Sequence, residues 1–122
     1  MMQLGGLEQT NWNVEQGADW QFGQTWKQGG VAVDLTGARV DLWSKRDVND
    51  PDSSAIKLSS AGVNPVITIP SPATGRYAFS APGALTAAWN GQYVYDVKIT
   101  LANGFIKRSL QGLISLDPEV TV

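Results

Sequence analysis

The sequence predicts an all-β domain built from antiparallel strands. Apolar residues recur with a period of two along most of the chain, which is the pattern of strands that bury one face. Glycine occurs 13 times in 122 residues, and only 16% of the residues are charged, which favours short strands joined by turns over helices with charged outer faces. This length suits one domain, over residues 1–122, with a single core.

The first half of the chain contains four predicted extended segments. Trp12 and Val14 begin the first, and the alternation of aromatic and polar residues over 19–27 predicts the second. A glycine pair at 29–30 predicts a turn before a short extended stretch at 31–35. In the fourth segment, 38–45, the alternation places Trp43 on the polar side, away from Val40 and Leu42.

The second half begins with a polar, proline-containing loop at 47–54, which we expect to lie on the surface as a mobile tip. Short strands are predicted at 56–58, 66–69 and 76–80. The segment 82–89 is rich in alanine and begins with proline, which suits the first turn of a helix. We therefore expect one short helical connection there.

A long hairpin over residues 91–116 is the most strongly predicted element. Asn103-Gly104 is typical of a two-residue type I′ turn, which would pair Leu101 with Ile106, Val97 with Leu110 and Tyr93 with Ile114. This register makes one face of the hairpin apolar on both strands, and it pairs Val94 with Leu113 on the other face. Arg108 is the exception on the inner face, where we expect it to reach the edge of the core or pair with a carboxylate such as Asp34 or Asp41.

Composition excludes several classes of function. The formal net charge is −2 and the lysines and arginines are scattered, so the electrostatic attraction that drives binding to nucleic acids or anionic membranes is missing. No apolar run is long enough to span a membrane, and the first six residues lack the features of a signal peptide. We expect synthesis in the cytoplasm, with no nucleic-acid or membrane partner.

The sequence also offers little catalytic chemistry. It has no histidine and no cysteine, so the usual general base and the strongest side-chain nucleophile are absent, and we predict no enzyme, no cofactor and no metal. The dense acidic cluster is Asp47, Asp50 and Asp52, and a small hydrolase that uses it is the weakest hypothesis, because a flexible loop does not hold carboxylates rigidly. A calcium loop starting at Asp47 would need glycine where Asp52 stands and glutamate where Leu58 stands.

Exposed apolar side chains predict a docking surface. Trp12, Trp20 and Trp26 fall on apolar faces and are interpreted as core residues. Four other apolar side chains are predicted to point outward beside polar neighbours, and they form the candidate interface: Trp43, Val94, Leu113 and Phe105.

Several segments occur in an order that resembles a family of phage virion modules. They are Gly-Ala-Asp-Trp at 17–20, Val-Asp-Leu-Thr-Gly-Ala at 33–38, Gly-Arg-Tyr at 75–77, Gly-Gln-Tyr-Val-Tyr-Asp-Val at 91–97, and Leu-Gln-Gly followed by Asp-Pro-Glu-Val-Thr from 110 to 121. Together these segments resemble the immunoglobulin-like domain that opens phage baseplate upper proteins and its stand-alone relatives. In the baseplate proteins a long extension follows this module, whereas the present sequence stops at Val122.

The resemblance implies an antiparallel immunoglobulin-like β-sandwich that holds other virion proteins in place, with no catalytic residues to carry over. It implies a non-enzymatic component of the tail, baseplate or capsid, located in the virion and present in several copies, because sites on a virion are repeated by symmetry. An alternative is a carbohydrate-binding β-sandwich for attachment to a host surface, since exposed aromatic rings stack on sugars.

Overall fold

A computed structural model describes residues 8–62 and 65–118. Within them the chain forms eleven strands and one short helix, joined by turns and two 3₁₀ turns. The elements are β1 (Glu8–Gln9), β2 (Trp12–Glu15), β3 (Trp20–Thr25), β4 (Lys27–Gln28), β5 (Val31–Ala32), β6 (Arg39–Lys45), β7 (Ile56–Ser59), β8 (Ile67–Ser71), β9 (Arg76–Ala81), α1 (Gly83–Thr86), β10 (Gln92–Thr100) and β11 (Ile106–Asp117). The prediction of an all-β chain with one short helical connection near 82–89 is confirmed.

The strands form two main sheets. The large sheet has the order β1-β11-β10-β6-β7, and β2 continues the edge that β1 begins by pairing with β11. The small sheet has the order β3-β9-β8, and β4 and β5 form a separate hairpin. All pairings are antiparallel except those of β1 and β2 with β11, which are parallel. The first and last strands of the described chain are therefore held side by side.

Aromatic side chains from both sheets meet in the core. Trp12 of β2 is 8% exposed, and its ring is 4.4 Å from that of Tyr95 on β10 of the large sheet, measured between centroids. The same ring lies 5.1 Å from Trp20 and 4.8 Å from Phe22, both on β3 of the small sheet. The predicted core role of Trp12, Trp20 and Trp26 is confirmed, since all three are buried.

The helix α1 packs against the turn between β2 and β3. The Thr86 hydroxyl is fully buried, donates to the Ala18 carbonyl at 2.7 Å and accepts from the Gly17 amide at 3.1 Å. Gly83 has no room for a side chain there, because a Cβ would overlap the Gly17 carbonyl oxygen. Four residues of helix are thus fixed by specific contacts and not by helix propensity, which is weak over one turn.

The predicted register of the β10–β11 hairpin is confirmed for Tyr93 to Val97 and is wrong nearer the tip. Tyr93 pairs with Ile114 and Val97 with Leu110, but Lys98 pairs with Arg108, one residue away from the predicted partner. Two departures from the predicted hairpin produce this result, one in the turn and one within β11.

The turn has three loop residues, 102–104, and is not the predicted two-residue type I′ turn. The Gly104 amide donates to the Leu101 carbonyl at 2.8 Å, and the Leu101 amide donates to the Phe105 carbonyl at 2.8 Å. Gly104 has a φ of 89°, the left-handed conformation that closes a three-residue loop after a type I turn. Asn103 accepts a hydrogen bond from the Phe105 amide at 2.9 Å, so its side chain stabilises the longer loop.

A β-bulge at Ser109 restores the predicted register further along the hairpin. Ser109 is the extra residue between Arg108, which pairs with Lys98, and Leu110, which pairs with Val97. Both Ser109 and Leu110 are buried. The bulge reverses the alternation of side chains towards the tip, so Ile106, which the sequence placed on the inner face, is 56% exposed.

The hydroxyl of Ser109 is accommodated in the core by a partner from the opposite sheet. It lies 2.9 Å from the hydroxyl of Tyr77 on β9, and both residues are almost completely buried. A buried hydroxyl without a partner costs free energy, so this contact stabilises the bulge as well as joining the sheets.

We expect Tyr77→Phe to lower the free energy of unfolding by about 1–3 kcal/mol, because it leaves the buried Ser109 hydroxyl without this partner. The double variant Tyr77→Phe/Ser109→Ala should lose less than the sum of the two single variants, since it removes both hydroxyls together. Urea denaturation of the unchanged protein, the two single variants and the double variant measures the coupling free energy between the two hydroxyls. Strictly additive losses would show that the two hydroxyls do not stabilise each other.

Candidate functional site

A groove of about 370 Å³ runs across the outer face of the large sheet. Strand pairing places its central side chains next to one another, because Lys45, Val94 and Leu113 are neighbours across β6, β10 and β11. One step along, Trp43 is beside Asp96, which pairs with Gln111. The residues that line it are Gln9, Trp43, Lys45, Val48, Val94, Tyr95, Asp96, Arg108, Gln111, Gly112 and Leu113.

The structure brings three of the four predicted interface residues together. Trp43, Val94 and Leu113 are all partly buried and all line this groove. Phe105 is 52% exposed but lies at the hairpin tip and does not line the groove. The prediction that Trp43 and Val94 point away from the core is confirmed, and we call the surface formed by these eleven lining residues the Trp43 groove.

Trp43 is held in position by its neighbour on the edge strand. Lys57 of β7 is paired with it, and the Lys57 ammonium lies 4.3 Å from the centroid of the indole ring. Such a cation over an aromatic ring contributes about 0.5–1 kcal/mol at an exposed site. The ring is therefore packed on one side by a cation while it forms part of the groove wall.

Arg108 forms the polar side of the groove. Its guanidinium lies 3.9 Å from the Asp96 carboxylate and donates to the Gln111 side-chain oxygen at 3.4 Å. Gln111 in turn donates to the side chain of Gln9 at 3.3 Å. The predicted ion-pair partners of Arg108, Asp34 and Asp41, are wrong. The bulge turns the arginine outward beside Asp96, and the Asp41 carboxylate on the same face pairs with Arg39 at 3.0 Å.

Gly112 of β11 packs closely against Thr10 and Asn11, the two residues between β1 and β2. A Cβ at Gly112 would overlap the carbonyl oxygen of Thr10 and would lie 2.8 Å from the Asn11 side-chain oxygen. The same Thr10 carbonyl accepts a hydrogen bond from the hydroxyl of Tyr95 at 2.6 Å. Gly112 pairs with Tyr95, as the predicted register requires, and the space beside it is filled by the backbone of Thr10 and the side chain of Asn11.

The acidic loop after β6 uses its carboxylates in local contacts. Asp47 accepts a hydrogen bond from the Asn49 amide at 2.9 Å, and Asp50 accepts one from the Asp47 amide at 3.0 Å. Asp52 accepts one from the Lys45 ammonium at 2.7 Å. Within residues 8–62 and 65–118, no group of three or more acidic side chains lies close enough together to hold a metal ion.

The Lys45 ammonium holds the pKa of Asp52 below its ordinary range, first through the hydrogen bond and then through its charge. A general acid of a glycoside hydrolase needs the opposite change, a carboxyl pKa raised by burial. The chemistry of this loop therefore does not favour the hydrolase hypothesis. What Asp52 contributes is an ion pair at the edge of the Trp43 groove.

The sequence did not identify three of the groove residues as interface candidates: Val48, Arg108 and Gln111. Val48 is 73% exposed and belongs to a loop that the sequence predicts only as a polar surface segment. Arg108 lies in the groove because the bulge at Ser109 turns its side chain outward. The periodic pattern carries no signal for Val48 and places Arg108 on the inner face. The predicted register puts Gln111 opposite Asp96 on the outer face, so Gln111 could have been included.

Comparison with protein-family models and with curated proteins gave no significant match. The resemblance to baseplate upper proteins thus stays a prediction carried by the sequence segments themselves. Across the part of the chain that the structure describes, none of the helical segments has both the length and the apolar character needed to cross a bilayer.

We expect Lys45→Met to raise the pKa of Asp52 towards its ordinary value, because the variant removes the hydrogen bond and the charge that lower it. In the unchanged protein the ion pair contributes stability above the pKa of the unfolded chain and loses it as the pH falls through the lower folded pKa. Carboxyl NMR over an acid titration measures the pKa of Asp52 in both proteins. Lys27→Met is the control and should leave the Asp52 titration unchanged; equal titrations in all three proteins would contradict the assignment.

Proposed function

We propose that this chain is an immunoglobulin-like β-sandwich that serves as a non-enzymatic structural component of a bacteriophage particle and docks on other virion proteins. The observation that carries the docking role is the convergence of Trp43, Val94 and Leu113 in one groove on the outer face of the large sheet. An apolar surface of this kind with a polar rim is typical of a protein interaction site.

The order of the strands supports the immunoglobulin-like part of the proposal. In a variable-type immunoglobulin domain one sheet contains strands C′, C, F and G in this order, and the other contains B, E and D. Here β7-β6-β10-β11 and β3-β9-β8 have the corresponding orders. The hydroxyl of Tyr93, near the start of β10, also accepts from the Asn90 amide at 3.3 Å, which resembles the tyrosine corner of that fold.

Two of the segments that resemble the baseplate modules support a scaffold role, because they form turns and not a reactive site. In the segment 33–38, Asp34 accepts from the Thr36 amide at 2.9 Å and from its hydroxyl at 2.6 Å, while Leu35 is completely buried. In the segment 75–77, Gly75 has a φ of 73°, and a Cβ would lie 2.8 Å from the Trp26 and Val33 carbonyl oxygens. Both segments maintain the fold.

We expect quantitative mass spectrometry of purified particles to detect this chain in several copies per particle, as the symmetry of a virion requires. Leu113→Asp should reduce its incorporation at least about tenfold, because a charge in the groove is desolvated on docking. Val31→Asp is the matched control, since Val31 is 69% exposed on the separate β4–β5 hairpin, and it should be incorporated normally. Absence of the unchanged chain from purified particles would overturn the virion assignment.

A second candidate function is carbohydrate binding, favoured by the position of Trp43 beside the polar side chains of Gln9, Asp96 and Gln111 in one groove. Aromatic rings next to hydrogen-bonding groups suit a sugar, which presents both an apolar face and hydroxyls. A glycan array compares the two candidates directly. Glycan binding that Trp43→Ala abolishes without unfolding the chain would favour carbohydrate recognition over docking on protein.

A further inference from the structure

The four strands that supply most of the Trp43 groove have outward side chains whose net charge is opposite in sign to that of the chain. The outward positions of β6, β7, β10 and β11 carry five of the nine lysines and arginines: Arg39, Lys45, Lys57, Lys98 and Arg108. The same positions carry three carboxylates, Asp41, Asp96 and Asp117. Five cations and three carboxylates give the outward positions of these four strands a net charge of +2, whereas the formal net charge of the whole chain is −2.

Part of this positive charge is available to a partner. The side chain of Arg108 is 53% exposed, and its nearest carboxylate, that of Asp96, is 3.9 Å away and itself 41% exposed. An exposed ion pair at this distance contributes little to stability, so a second carboxylate can approach the guanidinium at low cost. Arg108 also has the planar donor geometry that binds a carboxylate through two hydrogen bonds.

The apolar part of the groove lies next to this charge. Trp43, Val94 and Leu113 are partly buried and form a concave surface beside Arg108. A concave apolar surface next to a cation fits one large apolar side chain with a carboxylate close to it in the same segment.

The chain itself places a segment of this chemistry at the rim of the groove. In the loop after β6, Val48 lines the groove while Asp52, four residues on, pairs with the Lys45 ammonium at 2.7 Å. An apolar side chain and a carboxylate from one short segment thus already lie against the end of the groove. The Arg108 end carries no comparable segment from within the described residues that line it.

We propose that the Trp43 groove binds an acidic peptide segment of a partner protein, with one large apolar side chain in contact with Trp43, Val94 and Leu113 and a carboxylate paired with Arg108. This inference rests on the docking role proposed above and specifies the chemistry of the partner. The positive face selects acidic segments over basic ones through charge complementarity, and the apolar side chain supplies most of the contact.

Three synthetic heptapeptides test the proposal by titration into the ¹⁵N-labelled chain. The first has a central tryptophan between two runs of three acidic residues, the second has alanine in place of tryptophan, and the third has lysines in place of the acidic residues. We expect the first peptide to bind at least about tenfold more tightly than the other two and to shift resonances of the groove, including the Trp43 indole N–H. Its affinity should fall with added salt.

Two charge-reversing variants identify the site. Arg108→Glu should weaken binding of the first peptide at least about tenfold, because it replaces the cation by a repelling charge. Arg76→Glu makes the same change on β9 of the small sheet, where the side chain is exposed, and should change the affinity less than about twofold. Preserved amide spectra show that both variants are folded.

Failure to bind the acidic tryptophan peptide, equal binding of the lysine peptide, or resonance shifts centred on the small sheet would each overturn the proposal. Self-association of the chain that buries the groove and excludes the peptide would assign the face to a second copy and overturn it as well. A chain present in particles that ignores the peptide would disprove only the partner chemistry. Peptide binding by a chain absent from particles would disprove only the virion role.

Discussion

The packing of Trp12 is the interaction on which the rest of the structure depends. The chain has no cysteine, so no disulfide joins the two sheets. Trp12 instead contacts rings on both sheets, and its indole nitrogen has no hydrogen-bond partner among the described residues, so its contribution comes from ring packing. Such ring pairs contribute about 0.5–1.5 kcal/mol each beyond the burial of their area, and several together are comparable to the 2–4 kcal/mol typical of a disulfide. The same residue pairs with Ile114 of β11 and so belongs to the N-terminal edge of the large sheet.

Much of the fold could be predicted because its information is local. A period of two locates most strands within a few residues, and the apolar faces of the hairpin determine the register of Tyr93 to Val97. The sequence does not predict the three-residue turn or the bulge, because their effects on the register cancel. The longer turn shifts the pairing of β10 with β11 by one residue, and the bulge at Ser109 shifts it back. The bulge depends on a hydroxyl pair between Ser109 and Tyr77, 32 residues apart, which no local pattern can indicate.

The candidate site also contains some residues that the sequence could predict and others that it could not. Trp43, Val94 and Leu113 could be predicted, because strand alternation shows that they point outward and register places Val94 beside Leu113. Arg108 could not be assigned to this face, because its direction depends on the bulge. Val48 could not be assigned either, since its place at the rim follows from how the loop folds back on Lys45. Phe105 was predicted to be exposed and is, yet it lies apart from the others because the hairpin continues beyond the groove.

The bulge links the interior of the molecule to its surface. One inserted residue buries Ser109 on the inside and, by the same reversal, delivers the guanidinium of Arg108 to the outside. A deletion that regularised β11 would therefore change two properties at once, since it would withdraw a hydroxyl from the core and turn the cation inward. Stability and recognition are not independent at this position, so selection on either property acts on the length of the same strand.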